Sequence, residues 1–397
     1  MFDALRVRGA AYLLLTALIG RLPSAMSSLA IVRLVRDGGG SYGTASLLTA
    51  VYVVVGTIGQ PLLSRAIDRT GRPRPVLIGS AVVTTLALVA LAFEAVAYPS
   101  LGVLLAAVAG FATPPLESCL RSLWVRLMTP GTQLHAAFSL DAAAQELVFV
   151  AGPLVTALGI LVFGARGNIL LMAALGLLGT LAFAAHGRSA ASAPAAAPAG
   201  GRGGSPIGIR SFQRLALVQL AIGVPIGVLT ISATGYGELV HGESVSAVAL
   251  AVNALGAFVG ALLIARFPVA APHRAIRWLA LCVALLYVPT ALVHLPVPAW
   301  LAAAFVAGLS LPPLLTQMFA QTPRTVPETQ LNEANAWIVS AFTVGIAVGT
   351  LLAGYVVEAV PGAAGLSAAV LIGSAIAVLG ALSARPSAVA AAPAAAQ

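Results

Sequence analysis

Twelve long apolar runs, joined by short polar segments, make up most of this chain of 397 residues. They cover approximately residues 10–31, 45–64, 76–97, 101–127, 136–163, 168–186, 213–238, 245–265, 275–295, 299–320, 334–360 and 363–383. A helix of roughly 20 apolar residues crosses the hydrocarbon core of a bilayer. Charged residues form only 8% of the chain, whereas soluble domains carry about 25%. The sequence excludes a cytosolic enzyme, a secreted disulfide scaffold and a disordered protein, and it predicts an all-α polytopic membrane protein with twelve transmembrane helices.

The basic residues indicate how these helices are oriented. All 21 are arginines, and they are spread between the apolar runs, which favours membrane loops over a nucleic-acid-binding patch. With a cytoplasmic N-terminus, 17 arginines fall in cytoplasmic segments, three fall in outer segments, and Arg21 lies within the first run. Cytoplasmic loops of membrane proteins carry such an excess. We therefore expect both termini on the cytoplasmic side of the inner (cytoplasmic) membrane, and no nucleic-acid partner.

The chain divides into two halves of six runs each. Residues 188–210 are rich in alanine, proline and glycine and lack apolar periodicity, which predicts a cytoplasmic linker. The linker would join an N-terminal bundle (1–187) to a C-terminal bundle (211–384), and the low-complexity residues 385–397 are predicted to be a disordered tail.

A short motif repeats at corresponding positions of the two halves. Residues 109–116 and 307–314 both read AGxxxPPL, with an offset of 198 residues. Such a six-plus-six duplication is typical of transporters built from parallel repeats. Each proline removes a backbone hydrogen bond, so the pairs Pro114-Pro115 and Pro312-Pro313 are expected to bend the fourth and tenth helices.

The segment between the second and third runs resembles a cytoplasmic signature of the major facilitator superfamily. It reads SRAIDRTGRPR and resembles GxxxDRxGRR/K, with Ser64 in place of the first glycine. The matching residues are Asp68, Arg69, Gly71, Arg72 and Arg74. With the duplication, the resemblance to this superfamily extends over essentially the whole chain. It implies a monomeric transporter that works by alternating access and carries no cofactor.

The signature has a physical interpretation. Gly71 permits a tight turn with positive φ, and the arginines are expected in the headgroup layer. Asp68 can accept hydrogen bonds from an arginine or from a helix N-terminus across the interface between the halves. That contact would keep the cytoplasmic side closed while the transporter faces outward. The alternative is a short basic turn without this role.

Two further segments resemble parts of the superfamily associated with export. Gly152-Pro153 in the fifth run resembles part of the GPxxG element of antiporters, although an ordinary helix kink is the alternative. The eleventh run, which contains Trp337 and several glycines, resembles bacterial drug-efflux-like members, although close packing of helices also explains its glycines.

Five charged residues lie within the apolar runs of the first half, where charges are costly and usually functional. Counting residues along each helix places Arg21, Glu117 and Glu146 near the membrane midplane, Arg121 one turn from Glu117, and Asp141 nearer the interface. The superfamily fold implies that these runs line or flank a central cavity. We expect one network, with Glu117 as the first candidate for a proton carrier, Glu146 as the second, and Asp141 as structural. The alternative is a static ion-pair network.

The second half lacks these charges. At the 198-residue offset, Leu315 corresponds to Glu117 and Phe319 to Arg121, which predicts an apolar wall with Gln317 and Trp337 as its polar groups. A charged wall that faces an apolar wall suits amphipathic organic substrates.

Other chemistries leave no signal in the sequence. The histidines show no metal-ligand spacing, and a GxxxxGK[ST] phosphate loop is impossible because the chain has no lysine. We therefore expect neither an enzyme nor a metal, cofactor or nucleotide site. The favoured function is proton-coupled efflux of drug-like or metabolite molecules, with the substrate, protons and the bilayer as partners. The alternatives are an importer (a proton symporter or a facilitator) of a sugar, amino acid or organic acid, and, more remotely, a sensor with a transporter fold.

Overall fold

The computed structural model describes residues 6–187, 204–240, 242, 245–264 and 272–384, and within these ranges the chain folds into thirteen α-helices. They are α1 (Ala10–Asp37), α2 (Tyr42–Thr70), α3 (Pro73–Glu94), α4 (Pro99–Phe111), α5 (Leu116–Leu127), α6 (Thr132–Ala185), α7 (Arg210–Leu239), α8 (Val245–Ile264), α9 (Pro272–Tyr287), α10 (Val297–Leu309), α11 (Leu311–Thr325), α12 (Leu331–Ala359) and α13 (Ala363–Ser383). Most of the predicted linker and the whole predicted tail, 385–397, lie outside the described residues.

The helices have the length and composition that a membrane requires. Among the described residues, ten helical stretches are long and apolar enough to span a bilayer, and Ala275–Ala291 forms a shorter apolar helix. In this set α4 with α5, and α10 with α11, each count as one stretch. The prediction of an all-α multi-pass membrane protein is confirmed. The count of twelve spans and the cytoplasmic location of the termini stay predictions.

Helix α6 contains two of the predicted runs. Its 54 residues would extend for about 80 Å as one straight helix, far more than the thickness of a bilayer. Gly164, at φ 71° and ψ 176°, interrupts the helical geometry. On either side of it, the Cα of Gly159 packs against the side chain of Asn168. The two parts of α6 therefore fold back on each other as a helical hairpin.

The two proline pairs act differently on their helices. Helix α4 ends at Phe111 and α5 begins at Leu116, directly after Pro114 and Pro115. In the second half, α10 ends at Leu309, and Pro312-Pro313 lie in the first turn of α11. Proline is tolerated at the start of a helix because the missing N–H would have no partner there. In the first half the expected bend is thus a break, whereas in the second half Ser310, between α10 and α11, keeps helical φ and ψ of −80° and −26°.

The glycine of the repeated motif makes the same contact in both halves. A Cβ atom on Gly110 would lie 2.9 Å from the backbone carbonyl carbon of Tyr52, which joins α4 to α2. A Cβ atom on Gly308 would lie 3.0 Å from that of Asn253, which joins α10 to α8. Any larger residue would push the paired helices apart. Close packing through small residues therefore holds equivalent helix pairs together.

The two halves are joined at one end of the molecule. The Ser340 hydroxyl donates to the Thr57 carbonyl at 2.7 Å, and the Asn335 amide lies 3.4 Å from the Ser122 hydroxyl. Nearer the end, His135 Nε2 lies 3.3 Å from the carbonyl oxygen of Ile264. The His135 and Asn335 contacts lie near the beginnings of α6 and α12, while Thr57 and Ser340 lie further inside α2 and α12. The chain is therefore closed at this end, with a cavity behind the closure.

Candidate functional site

Four charged side chains form one ion-pair network within the first half. Asp141 on α6 is fully buried, and it accepts from Arg21 Nη1 at 2.9 Å and from Arg121 Nε at 2.8 Å. Glu117 Oε1 lies 3.4 Å from Arg21 Nη2 and also pairs with Arg121 Nη2. The structure thus brings together four of the five charges that the sequence placed within the apolar runs.

Local sequence explains why the network forms on these helices. Because α5 begins after the proline break, Glu117 lies in its first turn and Arg121 follows one turn later on the same face. Asp141 has a more central place than its sequence position suggested, since it binds both arginines at once. Buried ion pairs offset the cost of desolvation only when several good hydrogen bonds satisfy them. The shared carboxylate supplies those bonds.

Glu146 lies outside this network. Its side chain is only 8% exposed, and it forms no hydrogen bond or ion pair with any residue that the structure describes. It lies on α6 about one and a half turns beyond Asp141, at the wall of the central cavity. An unpaired carboxyl group in so buried a position is costly. The prediction of Glu146 as a second candidate for a proton carrier stays a prediction.

A cavity of about 350 Å³ lies beside the charged network and is lined by residues of both halves. The first half contributes Glu117, Arg121, Ala142, Gln145, Glu146 and Phe149. The second half contributes Gln219, Ile226, Asn253, Ala254, Ala257, Gly308, Leu311, Leu315, Phe319, Val339, Phe342, Thr343 and Ile346. Both residues that the repeat offset predicted for an apolar wall, Leu315 and Phe319, line this cavity.

The polar groups of the second wall differ from those expected. Neither Gln317 nor Trp337 is among the cavity residues. Gln317 is buried in α11, and Trp337 Nε1 lies 3.4 Å from Glu333 Oε1, toward the closed end. The second half instead presents Gln219 and Asn253. Each is an amide within an otherwise apolar run, and the rule that selected the charged residues would also have found them.

Equivalent positions of the two repeats meet at the centre of the molecule. The Arg121 guanidinium carbon lies 3.5 Å from the centroid of the Phe319 ring. Phe319 is the residue that the 198-residue offset pairs with Arg121. A guanidinium over an aromatic face is a favourable cation–π contact. The arginine is therefore held between Asp141 on one side and the apolar wall on the other.

A second cavity of about 230 Å³ adjoins the first and has a different character. Ten of its sixteen lining residues carry a hydroxyl or amide group, and these are Ser24, Ser27, Tyr52, Thr57, Gln60, Thr113, Ser118, Gln145, Ser340 and Thr343. Glu117 and Gln145 line both cavities. Arg21 lines a smaller pocket of about 60 Å³ beside them. Glu117 is therefore the charged residue of the network that lines the second cavity as well as the first.

Asp68 connects the halves at the closed end. It accepts from Asn332 Nδ2 at 2.7 Å and from the backbone N–H of Glu333 at 2.8 Å, while the Asn332 N–H lies 3.4 Å away. These two residues form the first turn of α12. A helix N-terminus carries a partial positive charge and unpaired N–H groups, so it binds a carboxylate well. The sequence predicted the type of contact, and the structure identifies the helix.

The rest of the signature shapes the turn that follows. Gly71 adopts φ 63° and ψ 15° and ends α2, with its N–H bonded to the Ile67 carbonyl at 2.9 Å, which confirms the predicted positive-φ turn. Arg69, Arg72 and Arg74 are exposed, and Arg74 Nη2 donates to the His186 carbonyl at 3.3 Å.

Glu333 is a functional candidate that the sequence did not reveal beyond its place at a helix start. Its side chain accepts from the Ser205 hydroxyl at 2.6 Å and lies 3.7 Å from Arg65 Nε. Ser205 lies in the described part of the predicted linker. Glu333 therefore joins α2, α12 and the linker at one point.

Gly152 and Pro153 lie within α6 against α1. A Cβ atom on Gly152 would lie 2.8 Å from the carbonyl carbon of Ala25. The glycine thus allows α6 and α1 to touch just beyond the charged network. The role of this pair as an antiporter-like element stays a prediction.

The comparisons with known proteins agree with this architecture. The sequence model of the Major Facilitator Superfamily matches residues 13–300. No curated protein matches the chain. Similar solved structures include a bacterial homologue of the iron transporter ferroportin in an outward-facing state, with a TM-score of 0.73 at 15% identity over 95% of this chain and 98% of that chain.

Two other structures show the same fold. The human organic anion transporter TETRAN gives a TM-score of 0.69 at 16% identity, with 96% of this chain and 99% of that chain covered. The E. coli fucose:proton symporter gives 0.68 at 15% identity, with 96% and 100% covered. At these identities the likeness concerns the fold alone.

Proposed function

Since the chain belongs to the major facilitator superfamily and is a multi-pass membrane transporter, not an enzyme, we propose that it exports amphipathic organic molecules in exchange for protons. The proposal also includes four features that the sequence predicts. These are twelve spans, both termini in the cytoplasm, a place in the inner membrane, and membership of a drug-efflux-like branch.

The observation that carries this proposal is the sharing of two arginines by two carboxylates beside the cavity. Asp141 is fully buried and bonds to both arginines, whereas Glu117 is 20% exposed and lines both cavities. When Glu117 takes up a proton, Asp141 still holds Arg21 and Arg121 in place. Glu117 can therefore change charge without dismantling the helix contacts, which is what a coupling group requires.

The contact between Asp68 and α12 supports alternating access. It closes one end of the cavity with hydrogen bonds between rigid helices, so opening that end requires the halves to separate as bodies. With the termini in the cytoplasm, the closed end is the cytoplasmic end and the cavity faces outward. In this state a proton from outside reaches Glu117 through the hydroxyl-lined cavity.

Export is favoured over import by the contrast between the two walls of the cavity. The wall of the second half is mostly aliphatic and aromatic and offers only a few amide and hydroxyl groups. A sugar would leave many hydroxyl groups without partners against such a wall, and unpaired buried polar groups are costly. A compound with an apolar body fits it better.

Resistance in an efflux-deficient bacterial host tests the function. The wild type, Glu117→Gln and the matched control Glu358→Gln would be expressed at equal membrane levels and exposed to a broad panel of toxic compounds. Glu358 is exposed near the end of α12, away from the cavity. We expect the wild type and Glu358→Gln to protect, and Glu117→Gln to lose protection.

The other outcomes are equally informative. Equal protection by all three proteins would assign Glu117 a structural role and would shift coupling to Glu146. Protection by none of them would reject drug export. A gradient-driven uptake assay with sugars, amino acids and organic acids in proteoliposomes would then test the importer.

A further inference from the structure

We propose that the substrate of the central cavity is a monovalent organic cation and that Glu146 is the group that pairs with its charge. This inference rests on the proposed transport function and names the substrate class of the same cavity. It follows from three observations. They are the net charge of the ionisable side chains around the cavity, the exposed fractions of those side chains, and the mostly apolar cavity lining of the second half.

The charges around the cavity leave one carboxylate unbalanced. Arg21 and Arg121 are matched by Glu117 and Asp141 in the ion-pair network. Glu146 is the remaining ionisable side chain of the cavity lining, and it has no partner among the described residues. With every group ionised, the site therefore carries one net negative charge, which a single monovalent cation neutralises.

Exposure decides which charges a substrate meets. The side chains of Arg21 and Arg121 are 7% and 2% exposed and are occupied by carboxylates, and the Phe319 ring covers Arg121. Glu117 is 20% exposed and Glu146 is 8% exposed, and both line the cavity. Of the charged side chains that line the cavity, Arg121 is thus the least exposed and is paired with two carboxylates, while the two more exposed ones are negative. An anionic substrate would find no free cation there and would face two carboxylates.

The cavity residues of the second half indicate the character of the uncharged part of the substrate. Leu315, Phe319 and Phe342 present aliphatic and aromatic surface, while Gln219 and Asn253 are amides that can accept hydrogen bonds from an ammonium group. Since the Phe319 ring already contacts Arg121, Phe342 is the aromatic residue that can attract an organic cation through its quadrupole. A substrate with an apolar body and one positive centre satisfies both walls at once, whereas a small hydrated cation leaves the apolar wall uncovered.

Two ions of the same shape and opposite charge provide the test. Binding of tetraphenylphosphonium and of tetraphenylborate to the purified full-length protein in detergent would be measured by isothermal titration calorimetry, with protein-free micelles as the blank. We expect the cation to bind at least about tenfold more tightly than the anion. Glu146→Gln should lose about tenfold or more in affinity for the cation, and the exposed control Glu358→Gln should stay within about twofold of the wild type.

Glu146→Asp keeps the charge and covers the case in which Glu146→Gln does not fold. Retained cation binding in Glu146→Asp, together with a normal gel-filtration profile, supports the proposal. Equal binding of the two ions, preference for the borate, no cation binding by the wild type, or full cation binding by Glu146→Gln overturns it.

These results are independent of the resistance test. Cation binding that requires Glu146, found together with a failed resistance test, keeps the substrate class and rejects export. Resistance to neutral or anionic compounds alone keeps export and rejects the cation.

Discussion

Replacing Asp68 with asparagine tests whether the closed end of the cavity is held by a charge at a helix N-terminus. The substitution keeps the size and one acceptor oxygen of the side chain but removes its negative charge. In the structure, the carboxylate receives two short hydrogen bonds, at 2.7 Å from Asn332 Nδ2 and at 2.8 Å from the Glu333 N–H. The Asp68 side chain is buried, so solvent screens this interaction only weakly.

The expected magnitude follows from these two bonds. A hydrogen bond to a charged group contributes about 1.5–3 kcal/mol and a neutral one about 0.5–1.5 kcal/mol. Asparagine has one acceptor oxygen, whereas the two short bonds end on different oxygens of Asp68. One bond therefore persists in a neutral form, weaker by about 1 kcal/mol, and the other, of about 1.5–3 kcal/mol, is lost, which weakens the closed state by about 3 kcal/mol in total. Since about 1.4 kcal/mol corresponds to a factor of ten, the ratio of open to closed molecules should rise roughly 100-fold.

Distances between spin labels at the closed end measure this ratio. Thr70→Cys on α2 and Arg324→Cys on α11 would carry the labels, because both residues are exposed and belong to different halves. Cys119 and Cys282 would first be replaced by serine. Double electron–electron resonance then reports a short distance for the closed state and a longer one when the halves separate.

The control is Asp37→Asn, which removes an exposed carboxylate paired with Arg33 at 3.3 Å. An exposed pair of this kind contributes little, so the distance distribution should not change. The explanation would be wrong if Asp68→Asn left the population of the long distance within about twofold of the wild type, or if Asp37→Asn shifted it equally.

Three further predictions concern the stability of the purified protein, measured as the midpoint of thermal unfolding by intrinsic fluorescence. Asp141→Asn leaves two buried arginines without their shared carboxylate and should cost about 3–5 kcal/mol, whereas Asp37→Asn should not change the midpoint; an unchanged midpoint in Asp141→Asn would show that the network does not stabilise the fold. Gly308→Ala forces α10 away from α8 and should cost about 1–3 kcal/mol, while Gly354→Ala, where an added Cβ meets no atom within 4 Å, should be neutral or stabilising. Equal midpoints for these two variants would argue against the close helix contact. Phe319→Leu removes the cation–π contact and should cost about 0.5–2 kcal/mol without loss of the fold, and a larger loss would indicate that the ring also supports the core.

The membrane fold could be predicted because bilayer physics acts on local sequence. Each stretch of apolar residues must satisfy its own backbone hydrogen bonds in lipid, so length and composition alone indicate a helix. The AGxxxPPL repeat identified the duplication, and the glycine in the signature predicted the positive φ of Gly71. The proline pairs were harder to interpret, since the same residue bends a helix in one place and starts a new helix in another, depending on what packs around it.

The candidate site was predictable only in part. Charges in apolar runs are rare enough to stand out, which is why Arg21, Glu117, Arg121, Asp141 and Glu146 could be selected without a structure. Their pairing could not be assigned in this way. Which carboxylate meets which arginine depends on helix rotation and on the distance between helices, and both are set by packing among residues distant in the chain.

Residue chemistry along the chain is thus enough to predict a membrane protein, its helical architecture, its duplication and the small set of charges that lie within the membrane. The packing of the helices was needed to find that Asp141 binds both arginines, that Asp68 contacts the first turn of α12, and that Glu146 lies at the cavity wall without a partner among the described residues. The reason is physical. The partition of a residue between water and lipid depends on its own chemistry, whereas an ion pair depends on where two separate helices bring their side chains together.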